Sequence, residues 1–168
     1  MAKRLIVGLL VITKVDGMGR VAVLQRRGEF NHEKMASESW PGGCQVTVSG
    51  GIEEGESVYR ALCRELHEEL GFAMPALMRY SRILKELSHT VTEEKEAVIY
   101  GVVWPASFLK EIQLGPSSGG LVLLAEDKVE GVQNLLSFGK KEGVTDRRVV
   151  AMFPDEKEAV RKAFKKLL

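Results

Sequence analysis

Cysteine is scarce. Cys44 and Cys63 are the only two in 168 residues, too few for a disulfide framework, so a reducing, cytoplasmic setting is the expectation. The three histidines, His32, His67 and His89, show no ligand spacing with one another, and surface or loop roles are expected for them. Charge of one sign is also missing. With 24 Lys and Arg against 23 Asp and Glu, the net charge is +1, and no overall field recruits nucleic acid or an anionic membrane. No apolar run approaches the ~20 residues that span a bilayer. Lys3-Arg4 followed by Leu5 to Ile12 superficially resembles a short signal peptide. No small-residue cleavage site follows, and an untargeted soluble protein is expected. Internal repeats, low-complexity tracts and composition breaks are likewise lacking, which leaves a single domain over residues 1–168.

What is present is a globular composition, 45% hydrophobic and 28% charged, on a chain long enough to bury a substantial core. Leu5 to Val15 and Arg20 to Arg26 read as strands joined by the turn Asp16-Gly17-Met18-Gly19. Arg27 to Pro41 reads as a long polar loop. Cys44 to Val48 is a short strand interrupted by Ser49-Gly50-Gly51. A helix is predicted from about Ser57 to Leu70, with Ser57 as its N-cap and Gly71 just past its end. Further strands are expected at Met78 to Leu87, Ala97 to Trp104 and Leu121 to Ala125. Pro154 opens a terminal helix whose apolar face is Ala159, Val160, Ala163, Phe164 and Leu167, with its lysines on the solvated side. Strands around a central helix, with a second helix at the end, indicate a mixed α/β (α+β) sandwich.

The informative stretch is Gly50 to Phe72. Wound at 100° per residue, Val58, Tyr59, Leu62, Cys63, Leu66 and Leu70 share an apolar arc of about 140°, and Glu65, Glu68 and Glu69 share a neighbouring arc of about 100°. Like charges three and four residues apart repel by a few tenths of a kcal/mol per pair. A helix serving only solubility would place lysines between them. Three carboxylates converging beside a core face suit hard divalent cations, which take oxygen ligands. Arg64 can bridge Glu68 on its own helix or reach Glu56, orienting the carboxylates. His67 lies on the side away from the glutamates.

These residues resemble the Nudix box, G-x5-E-x7-R-E-U-x-E-E-x-G-U with U aliphatic or aromatic, at every defined position: Gly50, Glu56, Arg64, Glu65, Leu66, Glu68, Glu69, Gly71 and Phe72. Seven named residues at roughly 7% frequency give a chance match of ~10⁻⁶ over the chain, so the pattern is specific. The resemblance implies an α/β/α sandwich with a mixed sheet and a hydrolase of Nudix type. It would cut a phosphoanhydride bond in a nucleoside diphosphate linked to another moiety, using Mg²⁺ or Mn²⁺. Carried over by position, Glu65, Glu68 and Glu69 hold the metal and Glu65 or Glu68 doubles as the base. Arg64 with Glu56 orients them, and the Ser49 carbonyl stands where family members use a glycine carbonyl. A small-molecule partner is implied, and a homodimer is compatible with it.

Two departures from the family pattern matter. Many members draw a further glutamate from a loop before a late strand, yet Gly115 to Gly120 holds no acid; Glu93, Glu94, Glu96 and Glu126 are the candidates in its place. The run from Trp40-Pro41-Gly42 to Glu56 is also similar to the isopentenyl diphosphate isomerase branch. Ser49 and Gly51, however, stand where those isomerases need a cysteine and a histidine. A non-catalytic nucleotide-binding module is the third alternative, disfavoured because the box keeps all its carboxylates. Arg26 and Arg27 are candidate phosphate contacts. Trp40 and Phe30 either stack on a base or cover the core. Cys44 and Cys63 read as core residues. Downstream of the box, Leu87-Ser88-His89 matches no subfamily signature, so the substrate is not specified.

Overall fold

The computed structural model describes residues 3–71, 77–79 and 84–167. Two long strands form its spine. β1 (Arg4–Val15) and β2 (Gly19–Arg27) pair antiparallel through a turn in which Gly17 and Gly19 take φ of 84° and 76°, the left-handed region that glycine enters without strain. β7 (Lys85–Val91) and β8 (Lys95–Val103) form a second hairpin, and β8 runs parallel to β1. β9 (Ser118–Ala125) pairs with β2. The sheet is therefore mixed, in the order β5 (Cys44–Gln45), β2, β1, β8, β7, with β6 (Val48–Gly51) attached to β1 and β9 to β2.

Residues 44–51 depart from expectation. One interrupted strand was predicted. The chain instead makes two, β5 (Cys44–Gln45) on β2 and β6 (Val48–Gly51) on β1. Ser49-Gly50-Gly51 is thus strand rather than interruption. Thr47 sits where the chain changes partner: its hydroxyl accepts from the Val11 amide at 2.9 Å and donates to the Val23 carbonyl at 2.6 Å. Residues 27–41, read as a loop, contain a small hairpin of β3 (Phe30–Asn31) and β4 (Ala36–Ser37). The strand expected from Met78 is absent at its start. Residues 77–79 are helical, in keeping with straight-chain Leu77, Met78 and Arg79, residues 80–83 lie outside the described residues, and β7 begins at Lys85. A short parallel pair, β10 (Gln133–Asn134) with β11 (Ala151–Met152), has no counterpart in the sequence reading.

α1 (Val58–Leu70) begins as expected, with the Ser57 hydroxyl accepting from the Arg60 amide at 3.2 Å. It ends at Gly71, φ 99°, whose amide donates to the His67 carbonyl. Its buried Ala61, Leu62, Leu66 and Leu70 pack on Val7, Leu9, Val11, Val23 and Val48 from one face of the sheet. α2 (Pro154–Lys166) has proline at its first turn, Asp155 and Glu156 beside it, and Lys165 and Lys166 in the last turn, which complements the helix dipole at both ends. Its Ala159, Val160, Ala163 and Phe164 cover Leu10, Ile12, Ala22 and Leu24 on the other face. One helix on each side of a mixed sheet is the expected sandwich. Not all α2 lysines are free in solvent, since Lys157 donates to the Val132 carbonyl at 2.9 Å. A satellite cluster of Leu135, Val144 and Ala151 closes over Trp40 and Phe153. Among the described residues no helix is long and apolar enough to cross a membrane.

Candidate active site

A cleft of about 740 Å³ opens beside β1, β2 and β8, lined by Ser49 and Gly50 from β6, by Glu65, Glu68 and Glu69 from α1, and by segments 31–34 and 115–118. The box carboxylates expected to converge do share this one surface. Phe72, the last box position, lies outside the described residues.

Arg64 organises the group. Its guanidinium donates to both Glu56 oxygens at 2.9 Å, to Glu65 Oε1 at 2.7 Å and to the Gly51 carbonyl at 2.7 Å, and it lies 3.6 Å from Glu68. Both pairings that the sequence left open for Arg64 therefore exist together. Glu56 in turn accepts from the Glu53 amide at 3.0 Å. The Arg64 hydrogen bonds hold the Glu56 carboxyl down to about 2, and Glu56 in return pushes the guanidinium pKa further up. The planar fork of arginine fits such bidentate pairing.

Glu65 is 1% exposed, and burial pushes its carboxyl up to about 7 against the pull of Arg64. Its carboxylate lies against the Gly50 backbone so closely that a Cβ there would stand 2.0 Å from Oε1. Glu69, only partly covered as a residue, has its carboxyl end enclosed. Burial first and the neighbouring Glu65 second push it up to about 8, although Gln25 Nε2 at 3.3 Å and the Ser49 amide donate to it. Glu68 is 48% exposed. Among the described residues no three acidic, histidine or cysteine side chains are drawn into a closed ligand cluster. The donor set nevertheless fits a hard cation: oxygen ligands only, two of them enclosed and mutually repelling, beside a glycine that leaves room for nothing larger.

Those two elevated carboxyls make the protein sensitive to pH when no metal is bound. Each binds a proton more tightly in the fold than at its ordinary value of 4.5. Their stabilising contribution is complete below about 4.5 and is lost as pH rises through 7 and 8. The metal-free melting temperature should therefore fall between pH 5 and 8 more steeply than that of a Glu65→Gln/Glu69→Gln variant. Mn²⁺ affinity should also rise with pH, by up to tenfold per unit for each proton displaced. Equal slopes in the two proteins, read by thermal melts in EDTA, would refute the assignment.

Other candidates fare differently. Arg26 is buried and donates to the carbonyls of Gly42, Arg147 and Val149 at 2.7 to 3.0 Å, so its fork is taken by main chain. Arg27 faces the cleft between Glu38 at 3.9 Å and Glu156 at 3.8 Å, with its guanidinium 5.3 Å from the Phe153 ring. Trp40 does not line the cleft. It packs edge-on against Phe153 at 5.5 Å in the satellite cluster, which favours its core-covering role. Cys44 is 0% exposed and burial pushes its thiol up, which removes it as a displaced nucleophile. Glu93, Glu94, Glu96 and Glu126 are absent from the cleft wall. The sequence reading missed three residues that line it. Gln25 fixes Glu69 while also donating to the Thr47 carbonyl at 2.9 Å. Glu33 comes from the β3–β4 hairpin. Glu156 is buried with Oε1 on the Val46 amide and Oε2 facing Arg27 at 3.8 Å, with no hydrogen bond among the described residues. Nothing in local sequence marks any of them, because each acts through long-range packing.

A family model described as the NUDIX domain matches residues 3–140. No curated protein matches the chain in a sequence comparison. Solved structures resemble it in fold. The NUDIX domain of Shewanella oneidensis NrtR, complexed with ADP ribose, superposes with a TM-score of 0.63 at 15% identity, over 100% of this chain and 90% of that one. A MutT/nudix family protein from Enterococcus faecalis gives 0.65 at 12% identity, over 99% of this chain and 62% of that one. A MutT protein from Methanosarcina mazei Go1 gives 0.55 at 15%, over 99% and 96%.

Proposed function

This chain belongs to the NUDIX domain family, and we propose that it hydrolyses a phosphoanhydride bond in a nucleoside diphosphate linked to a second moiety, with Mg²⁺ or Mn²⁺ held by Glu65, Glu68 and Glu69. The observation that carries this reading is the intact box assembled around Arg64, with Glu65 pressed against Gly50. When bound, the cation supplies a water of lowered pKa and offsets charge developing on the phosphates. The chain's own residues do the rest. Arg64, anchored on Glu56 and Gly51, holds Glu65 in one orientation, while Gln25 and the Ser49 amide hold Glu69. The Ser49 carbonyl remains in reach of the same wall as an added oxygen. Glu68, the most exposed of the three carboxylates at 48%, is the one most open to the cleft's water and would double as the base. Arg27 is a cation on the cleft wall whose guanidinium suits a phosphate, and Trp40 packs behind that wall against Phe153. The leaving group is itself a phosphate, so little acid catalysis is needed.

The ADP ribose on the Shewanella NUDIX domain is a nucleoside diphosphate joined to a second sugar, which agrees with the proposed class. The test is a hydrolysis screen over NTPs, dNTPs, oxidised nucleotides, NDP-sugars, ADP-ribose and dinucleoside polyphosphates. Metal-dependent release of phosphate or nucleoside monophosphate is expected from at least one. Binding without turnover across the panel would favour a nucleotide-binding module instead. Interconversion of allylic diphosphates would favour the isomerase.

A further inference from the structure

Two neighbouring arginines end β2, and the fold treats them differently. Arg26 fills its guanidinium with the carbonyls of Gly42, Arg147 and Val149. Arg27 donates no side-chain hydrogen bond among the described residues. Its Nε is enclosed and unpartnered, and its terminal nitrogens stand 3.9 Å from Glu38 and 3.8 Å from Glu156, beyond hydrogen-bond reach. The Phe153 ring, packed edge-on by Trp40, lies 5.3 Å from the guanidinium. Arg27 is thus held by charge and by one ring face while its donors stay open. Its side chain is partly exposed on the cleft wall, where those donors can meet an anion.

The two flanking carboxylates are not equivalent. Glu38 belongs to the segment after β4, where its Oε1 accepts from the Ser39 amide at 3.1 Å and the Trp40 amide at 3.5 Å. Glu156 stands buried in the first turn of α2, and its Oε1 accepts from the Val46 amide at 3.1 Å. Val46 is fully buried between β5 and β6, so this bond ties the helix to the sheet. Glu156 Oε2 is left enclosed without a hydrogen bond, facing Arg27. A buried acid with an unfilled oxygen lowers stability, and apolar side chains in such a place are often no worse for the fold. Its position beside Arg27 gives that cost a use. Because Oε2 is sealed, a phosphate entering the cleft meets the guanidinium rather than the carboxylate. An arginine already restrained loses less rotamer freedom on binding. Without Glu156, Glu38 is the remaining flanking charge, and a guanidinium drawn into hydrogen bonds with it has fewer donors left.

We propose that Glu156 is the positioning residue for Arg27, holding its guanidinium beside Phe153 with the donors free for a ligand phosphate. The proposal rests on reading Arg27 as a phosphate contact of the hydrolase.

The experiment is calorimetric titration of the full chain with inorganic pyrophosphate in saturating Mg²⁺. It compares the native chain, Glu156→Gln, Arg27→Gln and the double variant, with a thermal melt of each. Glu156→Gln keeps an acceptor for the Val46 amide. It should weaken pyrophosphate binding about tenfold and melt at or above the native temperature, a combination that a merely structural acid does not give. Arg27→Gln should lose at least as much affinity, and the double variant should bind no worse than Arg27→Gln alone. On a hydrolysed member of the nucleotide panel, Glu156→Gln should raise KM and leave kcat near native. Glu158→Gln, on the same helix but paired with Arg161, should match the native chain throughout. Native or tighter binding by Glu156→Gln, with weakened binding by Arg27→Gln, would overturn the proposal and leave Arg27 as a phosphate contact. Losses that add in the double variant would also sink it, since Glu156 would then act independently of Arg27. Native affinity in Arg27→Gln, or no pyrophosphate binding by the native chain, would remove the proposal and the phosphate contact together.

Discussion

Glu69→Gln is expected to lower metal-dependent turnover by about 10³-fold. A divalent cation contributes several kcal/mol of transition-state charge stabilisation, and each 1.36 kcal/mol is a factor of ten in rate. The substitution keeps shape and removes charge at the carboxyl that is enclosed and fixed from two sides, by Gln25 and by the Ser49 amide. The same change should raise the melting temperature of the metal-free protein, because a buried acid that must take up a proton to fold at neutral pH becomes a neutral amide. Loss of activity with gain of stability identifies a functional group maintained at a cost to the fold. Turnover within tenfold of native, measured as nucleoside monophosphate release at saturating Mn²⁺, would remove Glu69 from the site.

The second large effect belongs to a methyl group. Gly50→Ala would place a Cβ 2.0 Å from Glu65 Oε1 and 2.2 Å from its carboxyl carbon. Either Glu65 leaves its 2.7 Å contact with Arg64, or β6 moves off β1, where Gly50 is paired with Val7. Overpacking of this kind costs about 1–3 kcal/mol, and an ångström of misplacement at a reacting centre costs about 10²-fold in rate. Gly51→Ala is the internal comparison. There the nearest contact of a new Cβ is the Leu5 carbonyl at 3.8 Å, and activity and melting temperature should stay near native. Similar losses in both variants would mean that strand propensity, rather than the Glu65 contact, explains the effect.

Local physics made α1 readable. A serine cap, a glycine terminus and an apolar arc are all written within fifteen residues; the structure keeps the cap, the terminus and the arc at Leu62, Leu66 and Leu70, while Tyr59 at the arc's margin is 44% exposed and Cys63 is half-buried. The acid cluster was readable for the same reason, since helical spacing alone puts Glu65, Glu68 and Glu69 together. The limits were set by range. Ser49-Gly50-Gly51 looked like an interruption because two glycines weaken a strand on propensity, yet pairing with β1 overrides propensity. Residues 27–41 looked like loop because their hairpin has only two residues per strand and is held by Ser117, far away in sequence. Trp40 was balanced between substrate and core, and Phe153 decided it.

The two helices lie on opposite faces of the sheet, yet both contribute to one cleft. α1 brings the carboxylates around Arg64; α2 brings Glu156, beside Arg27 and Phe153. Neither set relies on the other for its hydrogen bonds: Glu156 leans on Val46, Glu65 on Arg64. Each wall of the cleft can therefore be altered without unfastening the other: substitutions around Glu156 should leave the Arg64–Glu65 contact in place.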